Sequence, residues 1–313
     1  MQKRFWHYFG IVAAVVVFAA AVWALTWQLR DLRWDDLFHQ LEAIPLHRIL
    51  TAIAATFAAY LVLAAYDHTA FRYIGRRMAF GRVAFVSSIS YAFSHNLGFG
   101  ALTGGAVRFR FYTDWGVPPG DIARVVFYAG IVYYLCALSV GGLLTFPNAV
   151  VLADVLELKP ALVRTIAAVW VLCGALYIVW CLCGRPVVRV GGREVTPPKI
   201  RHGLVQFCVG ILEWVFTSAV LYLVLPPDFG MPYWHFVAVY VLAYMAGYIS
   251  HVPGGLGVFE TVLLVLIPET VPTHVVAAGI ITYRVIYFLM PLALALALFG
   301  AYEAAKGRFS REG

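Results

Sequence analysis

Charged side chains are what this sequence has least of. Asp, Glu, Lys and Arg make up 12% of the 313 residues, about half the share in a soluble domain. With 62% hydrophobic residues and a mean hydropathy of +0.82, that scarcity excludes a soluble globule and leaves a polytopic membrane protein. Cysteines are few, and Cys136, Cys173, Cys181, Cys183 and Cys208 all lie in apolar segments without a Cys-x-x-Cys pair. They read as small packing residues, with neither a disulfide framework nor a zinc site implied. No Gly-x-Ser-x-Gly elbow, His-Glu-x-x-His helix or P-loop occurs, so no catalytic residue, cofactor or metal ligand follows from a motif. Adjacent Ser94-His95 and Ser250-His251 are no evidence of a hydrolase dyad.

What the chain does contain is apolar runs. Those long enough for the roughly 30 Å hydrocarbon layer, which takes about 20 residues, lie near 8–27, 48–66, 122–145, 162–183, 203–225 and 274–299. Segment 8–27 follows Lys3 and Arg4 as a signal peptide would, but it is longer than a usual signal core and reads as a retained first helix. Two further runs, 83–102 and 235–267, are interrupted. The first carries Ser87, Ser88, Ser90, Ser94, His95 and Asn96 before a group of glycines; the second carries His251, Pro253, Gly254, Gly255, Gly257 and Glu260.

The formal net charge of +7 would suggest nucleic acid in a soluble chain, but here it lies in loops that flank membrane segments, and no nucleic-acid partner is expected. Basic groups at Lys3 and Arg4, at Arg72, Arg76, Arg77 and Arg82, at Arg185 to Arg201, and at Lys306 to Arg311 should face the cytoplasm. Both termini are then cytoplasmic. With loops 67–82 and 184–203 on the same side, an even number of crossings must separate them, so 83–102 enters and returns. The same count from 226–234 to the C-terminus makes 235–267 enter and return from outside. The expected fold is all-α and integral to the membrane: about six full transmembrane helices plus two opposed re-entrant helical hairpins. It forms a single domain over 1–313, with repeat 1 at 48–145, a linking helix at 162–183 and repeat 2 at 203–299. Inverted repeats of this form are a transporter signature. Short echoes such as Ser94-His95 with Ser250-His251 fall in matching places.

Interrupted helices leave backbone groups without helical partners, and half-helix N-termini attract anions. Gly104-Gly105 and Gly254-Gly255 are candidate donors of this kind. Arg108, Arg110 and Arg124 follow the first interruption and form a candidate phosphate funnel, although arginines at helix ends also snorkel to headgroups. Ionisable residues inside spans are expensive and informative. Glu213 and Arg284 each lie about eleven residues into a helix, roughly 16 Å along it, so both should sit near mid-membrane. They read either as a structural ion pair or as a headgroup contact (Arg284) with a proton or cation site (Glu213 or Glu260). Tyr283 adjoins Arg284, and His95 and His251 are candidate proton relays, histidine being the side chain suited to that. Outside the spans, 28–47 reads as an amphipathic surface helix, 187–195 as a small β-hairpin turned by Gly191-Gly192, and 147–159 as a short hairpin or helix.

Ser94-His95-Asn96, then Leu102-Thr103-Gly104-Gly105-Ala106-Val107-Arg108, then His251 through Glu260, then Tyr283-Arg284, taken in order, resemble the lysylphosphatidylglycerol synthase transmembrane family. That family includes the membrane part of the multiple-peptide-resistance factors and stand-alone bacterial inner-membrane proteins. The resemblance implies a lipid-translocating module of the bacterial inner membrane. His95, Asn96, Arg108, Pro253, Gly254, Gly255, Glu260 and Arg284 are the motif-matching positions. In the two-part factors a separate soluble domain attaches the amino acid. This chain ends at Gly313 soon after its last apolar run, so no aminoacyltransferase activity is expected of it. The expected cargo is an anionic or aminoacylated phospholipid. Two other readings stay open: a scaffold that transports nothing and positions a lipid-modifying enzyme, and an ion-coupled transporter of a small solute.

Overall fold

The computed structural model describes residues 34–312 apart from 98–99, 156–157, 185–187, 191–192, 196–197, 228, 251 and 269–270. The expected first helix at 8–27 lies outside the described residues. Five described helices are long and apolar enough to cross a membrane: Leu46–Tyr73, Pro119–Thr145, Pro160–Cys183, Ile200–Val224 and Thr273–Ala305. They answer to the other five full-length runs of the sequence.

In chain order the elements are α1 (Trp34–Ala43), α2 (Leu46–Tyr73), α3 (Phe80–Leu97), α4 (Gly100–Asp114), α5 (Pro119–Thr145), α6 (Ala149–Val155), α7 (Pro160–Cys183), β1 (Val188–Val190) and β2 (Arg193–Val195). They continue with α8 (Ile200–Val224), α9 (Tyr233–Ile249), a 3₁₀ turn (Pro253–Gly255), α10 (Val258–Leu266), α11 (Thr273–Tyr283), a π-helical turn (Arg284–Leu289) and α12 (Met290–Glu312). The small β-hairpin pairs Val188 with Val195 and Val190 with Arg193 in antiparallel register. Pro119 and Pro160 open α5 and α7, where the missing N–H has no helical partner to lose.

The first interrupted run is longer than 83–102, because α3 starts at Phe80 and α4 continues to Asp114. Phe85 of α3 meets Phe111 of α4 edge-on, with ring centroids 5.5 Å apart, so the two helices pack against each other. The second run is also a helical pair. Here α9 and α10 pack side by side, with Tyr240 edge-on to Phe259 at 5.6 Å.

The chain gathers into two compact units, one of Met1–Phe57, Ser88–Val107 and Thr217–Gly313, the other of Ala58–Ser87 and Arg108–Phe216. In the second unit helices approach through small residues. A Cβ on Gly210 would run into Cys136 Sγ and the Tyr66 hydroxyl, and one on Gly142 would lie 2.6 Å from Ala167 O. Close approach of this kind is how helices associate when lipid offers no hydrophobic drive between them. One buried polar cluster of this unit is tied together by Gln206. Gln206 Oε1 accepts from the hydroxyls of Tyr128 (2.6 Å) and Tyr177 (3.2 Å), while Gln206 Nε2 donates to Thr69 Oγ1 (3.2 Å). In the first unit α1 lies on α11, with Leu37 buried against Ala277 and Ala278. This matches the amphipathic helix expected at 28–47. Arg48 Nη1 donates to Leu225 O at 2.5 Å, satisfying a carbonyl at the end of α8.

Candidate functional site

Within the first unit, the second helical pair is broken where its sequence says it should be. After Ile249 the chain makes one 3₁₀ turn over Pro253–Gly255 and resumes as α10 at Val258. Gly254, Gly255 and Gly257 have φ of 61°, 62° and 80°, left-handed values that only glycine adopts without strain. Glu260, in the first turn of α10, takes the Gly257 N–H on Oε2 at 2.7 Å, so its carboxylate caps the resumed helix. Its other oxygen, Oε1, receives Arg284 Nε at 2.7 Å and lies 2.5 Å from Nη2. Arg284 Nη1 then donates to Gly254 O at 2.6 Å. One guanidinium thus ties the carbonyl of the turn to the carboxylate that caps the next helix. It also lies 4.5 Å over the Phe288 ring and 5.4 Å from that of Phe259, a favourable setting for a cation.

Arg284 also opens the π-helical turn Arg284–Leu289, an element common at functional sites. Asn96, at the end of α3, donates through Nδ2 to Phe288 O in that turn at 3.1 Å and to Ala92 O at 2.8 Å. His95 stacks on Tyr287 at 5.6 Å, and Tyr283 stacks on Tyr287 while its hydroxyl hydrogen-bonds that of Tyr240. A Cβ at Gly254 would lie 3.4 Å from His95 O and 3.7 Å from Asn96 O. Residues read from four separate stretches of sequence, namely His95 and Asn96, Gly254 and Gly255, Glu260, and Tyr283 and Arg284, therefore converge. Pro253 sits in the 3₁₀ turn, and His251 lies outside the described residues.

In the second unit Arg108 is 4% exposed and grips Asp67 with two bonds, Nε to Oδ2 at 2.6 Å and Nη2 to Oδ1 at 3.0 Å. Ser87 donates to the same carboxylate at 2.6 Å. Asp67 was expected in a loop at 67–82, but α2 runs on to Tyr73 and buries it completely. Each arginine of the expected phosphate funnel has a carboxylate near it, Asp67 in the case of Arg108. Arg110 pairs with Asp114 on its own helix, and Arg124 lies 3.6 Å from Asp121. Gly104 and Gly105 lie inside α4 rather than in unwound chain. Glu213 is fully buried in α8. Of the two carboxylates weighed beside Arg284, Glu260 is the one it meets in the first unit.

A model of the lysylphosphatidylglycerol synthase transmembrane region matches residues 11–295. The chain belongs to this family. An uncharacterized protein of Synechocystis is 30% identical over 297 residues, covering 94% of this chain and 92% of that one. The inner membrane protein YbhN of Escherichia coli is 25% identical over 294 residues, 93% and 91% of the two chains. Phosphatidylglycerol lysyltransferase of Staphylococcus aureus is 24% identical over 302 residues, 95% of this chain but 34% of that protein. The chain is thus a multi-pass membrane protein of the lysylphosphatidylglycerol synthase transmembrane family, similar to the membrane part of a longer protein.

Proposed function

We propose that this chain translocates a phospholipid with an anionic or aminoacylated headgroup across the bacterial inner membrane. In this reading both termini are cytoplasmic and the two helical pairs are re-entrant from opposite faces. The observation that carries the proposal is the turn at Gly254–Gly257, where non-helical backbone is held by Arg284 and Glu260 in an otherwise apolar segment. Irregular backbone at membrane depth is stable only where protein buries it or a polar cavity lines it. The side chains of Arg284 and Glu260 are 14% and 9% exposed, against 5% and 0% for Arg108 and Asp67. A phosphate that reaches Arg284 competes with Glu260 for the same donors and loosens the grip on Gly254. Headgroup passage and rearrangement of the turn are then coupled. The name of the staphylococcal relative points to phosphatidylglycerol or its lysyl ester as cargo. No aminoacyl transfer is assigned to the chain itself.

The test is movement of labelled phosphatidylglycerol, lysylphosphatidylglycerol and phosphatidylcholine in proteoliposomes, comparing the unaltered protein with Glu260→Gln and Arg284→Lys. Headgroup-selective movement, slowed about tenfold or more in variants that remain folded, is the expected result. A second reading, in which the chain positions a lipid-modifying enzyme, is favoured by one fact: its staphylococcal counterpart is a third of a protein named as a lysyltransferase. Folded protein that moves no lipid would replace the first reading with the second.

A further inference from the structure

Where α2 ends at Tyr73 and α5 begins at Pro119, the second unit contains a cavity of about 420 Å³ whose lining includes Arg76, Arg77, Arg82, Trp115 and Val117. Both helices are long and apolar enough to cross a membrane, and the cavity lies at their ends, where a crossing helix leaves the hydrocarbon. Arg76 is held by Asp121. Arg82 places its guanidinium 5.6 Å over the Trp115 ring, and Arg77 is exposed. Neither Arg77 nor Arg82 has a carboxylate partner among the described residues, in a chain that uses charge sparingly.

Arginines that merely orient a membrane protein need only reach water or headgroups one at a time. Here they line one concavity together with a half-buried tryptophan, an arrangement that offers forked donors to phosphate oxygens and an amphipathic ring at headgroup level. The turns that follow α2 and α4 supply little of this attraction. The N–H groups of Gly75, Arg76, Gly116 and Val117 are spent on carbonyls of Arg72, Phe71, Thr113 and Tyr112. The donors that point to recognition are the arginine side chains. We infer that this cavity binds the phosphodiester of an anionic phospholipid headgroup at the membrane surface. The inference rests on the membrane reading of the chain and not on translocation.

The experiment is ligand-induced stabilisation of the detergent-purified full chain, read by thermal unfolding, with phosphatidylglycerol, phosphatidylcholine and inorganic phosphate as separate probes. It compares the unaltered protein with the Arg77→Gln/Arg82→Gln double variant and with the Arg77→Lys/Arg82→Lys variant. The expected result is selective stabilisation by phosphatidylglycerol, with apparent affinity about tenfold weaker in the glutamine variant and partly restored by lysine. Equal response to phosphatidylglycerol in the unaltered protein and a folded glutamine variant overturns the site. Stabilisation by inorganic phosphate as strong as by phosphatidylglycerol overturns the lipid and assigns a soluble phosphate-bearing ligand. Neither outcome bears on movement of lipid across the bilayer, so this site and the translocation reading fail separately.

Discussion

Asp67–Arg108 and Glu260–Arg284 are the same chemical pair in different surroundings. Among the described residues Asp67 is met by side chains alone, two bonds from Arg108 on α4 and one from Ser87 on α3. The pair joins regular helices and is shut away from solvent. Glu260–Arg284 instead reaches backbone on both sides, with the Gly257 N–H on the carboxylate and the Gly254 carbonyl under the guanidinium. It is also the more exposed pair. A fully enclosed pair between straight helices resists any change of partner. A pair that holds a non-helical turn has an alternative state available, because whatever displaces one member also frees the backbone. The first pair therefore reads as a fastening and the second as a movable contact.

The strongest way to break that contrast is at the enclosed pair. Asp67→Ala or Arg108→Ala leaves a buried charge without its partner, and the expected loss of stability is about 3–5 kcal/mol, read as a fall in the unfolding midpoint in detergent. The Asp67→Leu/Arg108→Met double variant should recover most of that loss, since apolar replacement of a whole buried pair is often neutral. If the double variant unfolds normally yet moves no lipid, the pair is more than a fastening and the contrast is wrong.

The glycines of the turn sharpen the comparison from the other side. Gly257→Ala forces a Cβ onto a residue at φ 80°, which costs about 1–2 kcal/mol. Gly254→Ala adds a Cβ 3.4 Å from His95 O. Both variants should stay folded by the same unfolding measurement while lipid movement falls further than stability does. Loss of stability and movement in equal proportion would make the turn merely structural.

Much of this arrangement was legible in the sequence, and the failures share a cause. Five full-length spans could be read from apolar length, and the broken turn at Pro253–Gly255 from proline and glycine in an apolar run. Asp67 was missed because a carboxylate at the end of an apolar stretch looks like the start of a loop. The signal against that was the run's resumption at Ala70-Phe71, both fully buried. Gly104-Gly105 looked like unwound chain, but two glycines inside a helix cost only about 1 kcal/mol each, and packing overrides that. Depth along a helix put Glu213 level with Arg284 and did not single out Glu260. Depth cannot identify a partner, because pairing is set by which helices touch, and α10 brings Glu260 to Arg284 through a turn whose direction the sequence does not encode locally.

The smallest expected effect is at Asn96, and it asks how far the movable contact extends. Its amide bridges Ala92 O on its own helix and Phe288 O in the π-helical turn, the turn that carries Arg284. Asn96→Ala removes one net hydrogen bond to that turn, worth about 1 kcal/mol, and leaves the Arg284–Glu260 contacts untouched. If the π-helical turn holds the guanidinium in register with Gly254, lipid movement should slow several-fold in Asn96→Ala with the unfolding midpoint barely changed. Asn96→Gln, which keeps the amide on a longer arm, should fall between the two. Movement at the unaltered rate in Asn96→Ala would confine the movable contact to Gly254, Glu260 and Arg284 and leave Asn96 as a helix-end satisfier of carbonyls.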